Sequence, residues 1–190
     1  MSNPTAGIGD PYWYEWSIGL LYIMDMLNPD NEIKSVTLQS TSVQGLDDVV
    51  ISYSNGVTRC LQIKHSRVGD TLTFGDLVSK SDEKESLLKN LATAWREAKE
   101  NWKQCEAILF TNRLAGTRSS TVKSEDDEKY KRPALSTFWE HLQQEIEQKQ
   151  EIALLSFPQD WQYAWGEWHE QLSVLDDDNT KVEFLKSLSI

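Results

Sequence analysis

Cysteine is scarce in this chain, and its only two copies, Cys60 and Cys105, do not stand in a CxxC spacing. We therefore expect buried thiols in a reducing cytoplasm rather than a disulfide or a zinc site. The three histidines are scattered, and the phosphate-binding loop pattern GxxxxGK(S/T) does not occur. No uninterrupted apolar run approaches the ~20 residues that cross a bilayer, so no membrane partner is expected.

Positive charge is also in short supply, because 19 Lys and Arg face 30 Asp and Glu, a formal net charge of -11. Clustered Lys and Arg are what phosphate contacts require, so this balance argues against a simple nucleic-acid-binding module. A nuclease is not excluded, since part of its DNA contact can come through bound divalent metal. Cations do concentrate between residues 113 and 132, although Glu125-Asp126-Asp127-Glu128 interrupts them. Weak DNA affinity is therefore expected.

The first part of the chain predicts one helix and three strands. Asp10-Pro11 is a favourable helix start, and Tyr12–Leu27 is apolar nearly all round, which predicts a buried helix. Strand-like stretches follow at Ser35–Thr41, Asp48–Tyr53 and Val57–Lys64. Ser54-Asn55-Gly56 between the last two is typical of a hairpin turn.

The rest of the chain is predicted to be mainly helical. The predicted elements are a long helix from near Ser81-Asp82-Glu83, a short buried strand at residues 107–110, a mobile loop from Leu114 to Arg132, and a helix from Pro133 to about Gln148. Two further helices carry Trp161, Trp165, Trp168 and Leu172, and then Val182, Leu185 and Leu188. The helical spacing of the three tryptophans indicates a packing stripe rather than a base-stacking platform.

The order of these elements predicts an α/β fold. Its central part reads αβββαβ, and a mixed central sheet flanked by helices would bury both sheet faces, with additional helices toward the C-terminus. We expect one domain over residues 1–175. Residues 176–190, beginning with Asp176-Asp177-Asp178, are expected to be an acidic linker and the start of a following segment, as in a chain cut from a longer protein.

The hairpin admits two registers. A two-residue turn at Asn55-Gly56 would place Asp47 opposite Lys64, whereas a three-residue turn with Gly56 left-handed would place Asp48 opposite Gln62. The second register gives one nearly apolar face and one polar face, so hydrophobic patterning favours it. Asp48 is therefore the first choice as partner of Gln62 and Lys64, and Asp47 is the second choice.

This polar face carries residue types that could cleave a phosphodiester. Asp48 could bind Mg²⁺ through its carboxylate, and Gln62 could add its side-chain carbonyl oxygen. The backbone carbonyl of Ile63 could complete the shell, while Lys64 could orient the attacking water or offset charge on the phosphate. A surface ion pair between Asp48 and Lys64 on an ordinary hairpin explains the same spacing.

Glu15 is the only ionisable residue between Tyr12 and Tyr22. Inside an apolar helix its carboxylate would need a cation, a metal or a hydrogen-bond donor, and a metal shared with Asp48 would serve. The alternative is an acid near the helix N-terminus with its head in solvent, where the helix dipole favours it.

Three segments resemble a known nuclease family. They are Asp10-Pro11-Tyr12-Trp13-Tyr14-Glu15-Trp16, Gly45-Leu46-Asp47-Asp48-Val49-Val50 and Leu61-Gln62-Ile63-Lys64-His65. They are similar to the PD-(D/E)XK nuclease domain of anti-phage defence effectors, which occurs in the endonucleases of CBASS systems and at the N-terminus of Avs proteins, antiviral receptors of the STAND NTPase class. The resemblance covers at least residues 10 to 66. The departure is Gln62, where the wider superfamily usually has Asp or Glu.

The resemblance implies a restriction-endonuclease-like fold and a site made of Asp48, Gln62, Lys64 and the first-helix acid Glu15, with Mg²⁺ or Mn²⁺ as cofactor. It implies a cytoplasmic endonuclease that degrades double-stranded DNA with little sequence specificity. A homo-oligomer formed through a C-terminal ATPase or sensor region would supply the DNA contact that this acidic chain lacks. The alternatives are a site-specific restriction or repair nuclease of the same fold and a catalytically inactive interaction domain.

Overall fold

The chain forms two compact units in the computed structural model, which describes residues 10–67, 70–81, 84–123 and 129–190. The first unit holds residues up to 67, residues 97–112 and residues 188–190. The second holds residues 68–96 and 113–187. The chain thus leaves the first unit and returns to it twice, so each unit is assembled from segments distant in sequence.

A mixed five-stranded sheet forms the first unit. Its strands are β1 (Ile33–Leu38), β2 (Val49–Tyr53), β3 (Val57–Lys64), β4 (Gln104–Thr111) and β7 (Leu188–Ser189), in the order β1-β2-β3-β4-β7. The first three pair antiparallel, and the β3–β4 and β4–β7 pairs are parallel. The prediction of an α/β fold with a mixed sheet is confirmed, and the short β7 is an addition to it.

The hairpin between β2 and β3 has the register that the facial pattern favours. Val49 pairs with Leu61 and Ser52 with Thr58, so the continuation of the ladder places Asp48 opposite Gln62. Gly56 has a φ of 89°, and its N–H donates to the carbonyl of Tyr53 at 3.1 Å. A positive φ at this position is why the turn takes glycine.

Helix α1 (Asp10–Asp25) packs on one face of this sheet. Ile18 forms an aliphatic cluster with Val49, Ile51, Leu61 and Ile63. The closest approach is at Gly19, where a Cβ atom would lie 2.1 Å from Cδ2 of Leu38. Glycine therefore lets the helix backbone lie directly on β1.

The prediction that this first helix is buried is wrong. Trp13 is 68% exposed, Leu21 58% and Leu20 54%, because only the side with Ile18 and Gly19 meets the sheet. A helix that is apolar on all sides could be buried on every side. Among the described residues, however, nothing covers the side of α1 that faces away from the sheet. No helix in the described part of the chain is long and apolar enough to cross a membrane.

The second unit is mainly helical. It contains α2 (Phe74–Val78), most of α3 (Leu87–Asn101), α4 (Leu135–Gln148), α5 (Gln162–Gln171), α6 (Asp178–Ser187) and a hairpin of β5 (Ser120–Lys123) with β6 (Lys129–Arg132). Its core is aromatic: the ring of Phe138 lies 4.9 Å from that of Phe74 and 5.0 Å from that of fully buried Trp168. Trp165 stacks on Phe157 at 4.4 Å, so the predicted packing role of the tryptophans is confirmed.

Two predictions for this unit are corrected. The helix expected from near Ser81 begins at Leu87, because the Ser86 hydroxyl accepts from the N–H of Lys89 at 3.1 Å and so starts the helix there. Residues 82 and 83 of the predicted start lie outside the described residues, as does the acidic run 125–128. The stretch predicted as a mobile loop contains β5 and β6, two short strands without the apolar alternation that normally indicates them.

The stretch expected to be an acidic linker is ordered here. Asp177 accepts from the N–H of Thr180 at 2.8 Å and begins α6, whose Val182, Phe184 and Leu185 are buried. The chain then continues directly into β7, which pairs with β4. Residues 178–190 thus contribute one helix to the second unit and one strand to the first.

Candidate metal centre at the ends of β2 and β3

Asp48, directly before β2, is the centre of the candidate site. Its Oδ2 accepts from the backbone N–H of Ile63 at 2.6 Å and from the side-chain amide of Gln62. Its own carbonyl accepts from the N–H of Gln39 at 2.9 Å, so β3 and the end of β1 both hold the residue in place. The antiparallel register therefore aims the carboxylate at the Gln62 to Lys64 segment.

Asp47, the second choice, is engaged in the turn before β2. Its Oδ1 accepts from the N–H of Gly45 at 3.0 Å, and its carbonyl accepts from the N–H of Ser40 at 2.7 Å. The first bond is a local one of the kind an aspartate side chain makes in turns, and the second joins backbone atoms only. The structure thus gives Asp47 a role in shaping the turn and places Asp48, rather than Asp47, against Gln62.

Glu15 approaches this pair from α1. Burial raises the pKa of the Glu15 carboxyl above its ordinary value, and the charge of Asp48 raises it further, while a hydrogen bond from Gln39 and the charge of Lys64 lower it. The side chain is half-buried, so it is not an acid with its head in free solvent. The structure places Glu15 within electrostatic reach of Asp48 and Lys64.

The charged form of the Asp48 carboxyl is destabilised as well. Burial raises its pKa, and the N–H of Ile63 and the charge of Lys64 oppose that rise without cancelling it. Neither Asp48 nor Glu15 forms an ion pair with any of the described residues, and the Asp48–Lys64 salt bridge considered as an alternative is not made. Two half-buried carboxylates that disfavour each other's charge would both be stabilised by a cation between them.

The side chains of Gln62, Ile63 and Lys64 alternate as strand geometry requires. Ile63 is 3% exposed and belongs to the aliphatic cluster under α1, so it can offer the site only its backbone. Gln62 is buried on the other face, and Lys64, the last residue of β3, is exposed. An exposed ammonium beside a recessed carboxylate is open to a substrate.

Gln39 is a site residue that the sequence did not indicate. It follows β1 with a φ of 48°, a left-handed conformation that turns its backbone N–H toward the carbonyl of Asp48. Its side chain hydrogen-bonds Glu15. No sequence signal pointed to it, because the strand predicted at Ser35–Thr41 includes Gln39, whereas the observed strand β1 ends at Leu38.

The donor set fits a hard divalent cation. Carboxylate, amide and backbone carbonyl oxygens are the ligands of Mg²⁺ and Mn²⁺, and Asp48, Glu15, Gln62 and Ile63 supply them. Gln62 now turns its Nε2 toward Asp48, and a half-turn of the amide exchanges Nε2 for Oε1. Within the described residues no three His, Cys, Asp or Glu side chains cluster as a metal site, so the set depends on the oxygens of Gln62 and Ile63.

The other residues considered from sequence lie apart from this chemistry. His65 turns to the α1 side of the sheet, where its ring is 4.7 Å from that of Tyr14. Cys60 and Cys105 are buried thiols, as predicted, and form no disulfide, with their sulfur atoms 3.7 Å apart across β3 and β4. Neither the histidine nor the thiols share the polar face of Asp48 closely enough to contribute to its contacts.

No protein-family model matches the chain, and no curated protein matches it significantly. The function of the site therefore has to be argued from its own geometry and chemistry.

Proposed function

We propose that the chain is a metal-dependent endonuclease domain of the PD-(D/E)XK kind, with a restriction-endonuclease-like fold, that degrades double-stranded DNA with little sequence preference. Apart from the short helix α2 between β3 and α3, the element order α1-β1-β2-β3-α3-β4 agrees with the αβββαβ core of that fold. The sheet order β1-β2-β3-β4 with parallel β3 and β4 is compatible with it. These features support the proposed fold at the level of architecture.

One observation carries the proposal: the Asp48 carboxylate is held by the backbone of β3 beside Gln62, and within electrostatic reach of both Glu15 and Lys64. Four residues from three separate elements thus converge where two strands end. An ordinary hairpin would not need a desolvated acid there, whereas a phosphodiesterase needs acids and a lysine together.

The proposed mechanism assigns a task to each side chain. A divalent cation at Asp48 and Glu15 would supply Lewis-acid activation of the scissile phosphate. Asp48 stays in place through the Ile63 N–H, so its carboxylate is preorganised before substrate arrives. Lys64 would orient the attacking water and offset the negative charge that grows on the phosphate oxygens in the transition state.

The net charge of -11 supports a domain that cuts only when held on DNA. An acidic chain has little phosphate affinity of its own, so DNA contact would come through the metal and through several domains brought together in one assembly. This is the behaviour of the effector end of an anti-phage defence protein. A homo-oligomer formed through a further ATPase or sensor region belongs to the same proposal.

Two other functions remain to be separated from this one by experiment. A site-specific restriction or repair nuclease of the same fold would cut a plasmid into discrete bands, and a non-specific nuclease would give a smear. An inactive interaction domain, which Gln62 in place of an acid favours, would cleave nothing with any metal. Both outcomes are visible on one gel.

Metal binding tests the site without requiring activation. Titration of the chain with Mn²⁺, followed by electron paramagnetic resonance, should show binding that Asp48→Asn weakens at least ~10-fold. The neighbouring Asp47→Asn is the matched control, because an asparagine oxygen can still accept from the N–H of Gly45. Equal binding by the two variants would contradict the assignment of Asp48.

Cleavage tests the chemistry in the full-length, activated protein. Lys64→Ala should reduce metal-dependent DNA cleavage by ~10²–10³-fold, since it removes a charge that acts in the transition state. Lys34→Ala, an exposed lysine of β1, should cut like the wild type. Absence of cleavage by the wild type with Mg²⁺ or Mn²⁺ would leave the inactive interaction domain as the function.

A further inference from the structure

The outer surface of α1 is unusually apolar for a chain so rich in charge. Nine of the twelve exposed large hydrophobic side chains found in the described residues fall in one short stretch. They are Tyr12, Trp13, Trp16, Leu20, Leu21, Ile23, Met24, Met26 and Leu27. Single exposed hydrophobic residues are normal on protein surfaces, but a contiguous patch of more than a few hundred Å² marks an interaction surface.

The spacing within this patch fits a partner helix. Trp13, Trp16, Leu20, Ile23 and Leu27 follow one another at intervals of three and four residues, the last just beyond the end of α1. Alternating steps of three and four keep side chains on one line facing a second helix, as in coiled coils. The Trp13 and Trp16 rings meet edge to face at 6.0 Å, so part of this line is already ordered.

The charges around the patch indicate what could cover it. Helix α1 contains no Lys or Arg, and none of its three acids, Asp10, Glu15 and Asp25, belongs to the line of Trp13, Trp16, Leu20, Ile23 and Leu27. A nucleic acid or an anionic membrane surface would require cations here. An uncharged, apolar face is instead complementary to an identical face, because no charge on either side would be buried unpaired.

We propose that the chain forms a twofold dimer in which α1 packs antiparallel against α1 of a second copy. Leu20 is the midpoint of the line from Trp13 to Leu27, so a twofold axis at this midpoint places Leu20 against Leu20 of the second copy. The dimer would form through this face alone, without any region outside the chain.

The available area is sufficient for a stable dimer. A fully exposed aromatic side chain offers about 150–250 Å², and the three exposed aromatics together with the aliphatic residues amount to roughly 800–1,000 Å². A standard specific interface buries about 800 Å² on each partner. A second copy that covers the patch would therefore bury about the area that a standard interface requires.

The dimer would also concern the candidate site, and this consequence rests on the proposed function. The same helix that presents Trp16 and Leu20 outward carries Glu15 toward Asp48. Pairing of the two α1 helices would bring two candidate sites into one assembly. Self-association is measured without any substrate, so its failure and the failure of the nuclease proposal are separate results.

Sedimentation equilibrium of the chain over the micromolar range tests the proposal. The wild type should fit a monomer–dimer equilibrium, and Leu20→Glu should weaken the dimer at least ~100-fold, because it buries two like charges against each other. Leu114→Glu is the matched control: Leu114 is 80% exposed and lies outside α1, so this variant should associate like the wild type. Circular dichroism should show both variants folded, since neither side chain is in a core.

A second variant identifies the partner. Leu20→Lys should also be monomeric alone, and mixing it with Leu20→Glu should restore a dimer that contains one copy of each. A wild type that stays monomeric throughout, or a Leu20→Glu variant that associates as strongly as the wild type, would overturn the proposal. Binding of a monomeric wild type to neutral phosphatidylcholine vesicles would assign the face to a membrane surface instead.

Discussion

Both units contain ion-paired acids, in the sheet unit Glu106 at 2.6 Å from Arg59, but the sheet unit also holds two acids without a counter-charge. In the helical unit, Glu167 lies 2.5 Å from Arg132 and Glu170 lies 2.7 Å from Lys80. In the sheet unit, Glu15 and Asp48 are half-buried, lie close to each other and form no ion pair with any described residue. A desolvated acid without a counter-charge weakens a fold, so its presence needs another reason.

The hydrophobic cores of the two units also differ in composition and in how fully they are covered. The helical unit is filled by interlocking aromatic rings, with Phe138 in contact with Phe74, Phe157 and Trp168. The sheet unit is filled by aliphatic side chains under one face of α1, and the opposite face of that helix is open. The helical unit is therefore arranged for stability. The sheet unit retains two features that selection for stability alone would remove, namely the two acids without a counter-charge and the open apolar face of α1.

The largest effect is expected where the aromatic core is broken. Trp168→Ala should lower the free energy of unfolding by about 3–5 kcal/mol, because a fully buried indole is lost and a cavity remains. Urea denaturation followed by circular dichroism measures it. Trp168→Phe should lose much less, since the indole N–H has no hydrogen-bond partner in the described residues. A Phe variant as unstable as the Ala variant would contradict this account of the core.

Removing the charge of Glu167 and removing the charge of Asp48 should change the free energy of unfolding in opposite directions. Glu167→Gln should destabilise the chain by about 1–2 kcal/mol, because it leaves the Arg132 guanidinium without its counter-charge. Asp48→Asn should stabilise the metal-free chain at neutral pH by roughly 0.5–1 kcal/mol, a modest figure because water screens a half-buried group. Chemical denaturation of both variants without metal checks the two signs.

The pH dependence follows from the raised pKa of Asp48 in the folded chain. A folded-state pKa above the unfolded one means that the folded chain holds this proton more tightly, so stability is lost as pH rises through the folded value. The advantage of Asp48→Asn should therefore be present at neutral pH and vanish at pH values below the ordinary aspartate range. An advantage that persists unchanged in acid would show that desolvation of the carboxylate is not its cause.

The smallest contrast uses one substitution in both units. Gly56→Ala should cost about 1 kcal/mol, because Gly56 has a φ of 89°, although an added Cβ would meet no atom within 4 Å. Gly166→Ala should instead gain about 0.5–1 kcal/mol, since Gly166 is helical in α5 with open space around it. Thermal unfolding of the two variants measures both changes. A shared sign would mean that backbone conformation does not govern these positions.

The hairpin register could be predicted from the sequence because patterning and turn chemistry agree. A slip by one residue would have exposed Ile51 and Leu61 and buried charged residues, so the choice of Asp48 over Asp47 followed. The site residues Gln62 and Lys64 then came with it, since they share a strand face. The position of Glu15 near polar groups was accessible for a similar reason: one acid in an apolar helix has few ways to be satisfied.

The remaining features depended on information that local pattern does not contain. Whether an apolar helix is covered on all sides is set by its neighbours, which is why α1 was predicted to be buried and has an open face. Strands β5 and β6 are short and polar, so they have no apolar alternation to detect. Gln39 reaches Glu15 through a left-handed residue at the end of a strand, a conformation that neither composition nor spacing indicates.

The contact between Asp48 and Ile63 has a consequence for how this site can vary among related sequences. The bond uses only the backbone N–H of Ile63, while its side chain belongs to the aliphatic cluster. Substitution at position 63 should thus be free to exchange one branched aliphatic residue for another and closed to proline, which has no N–H to donate. The side chain between Gln62 and Lys64 takes no part in the contacts of the site, but it has to fit the aliphatic cluster. A search for relatives should therefore allow Val, Leu or Ile at this position and no residue that cannot be buried.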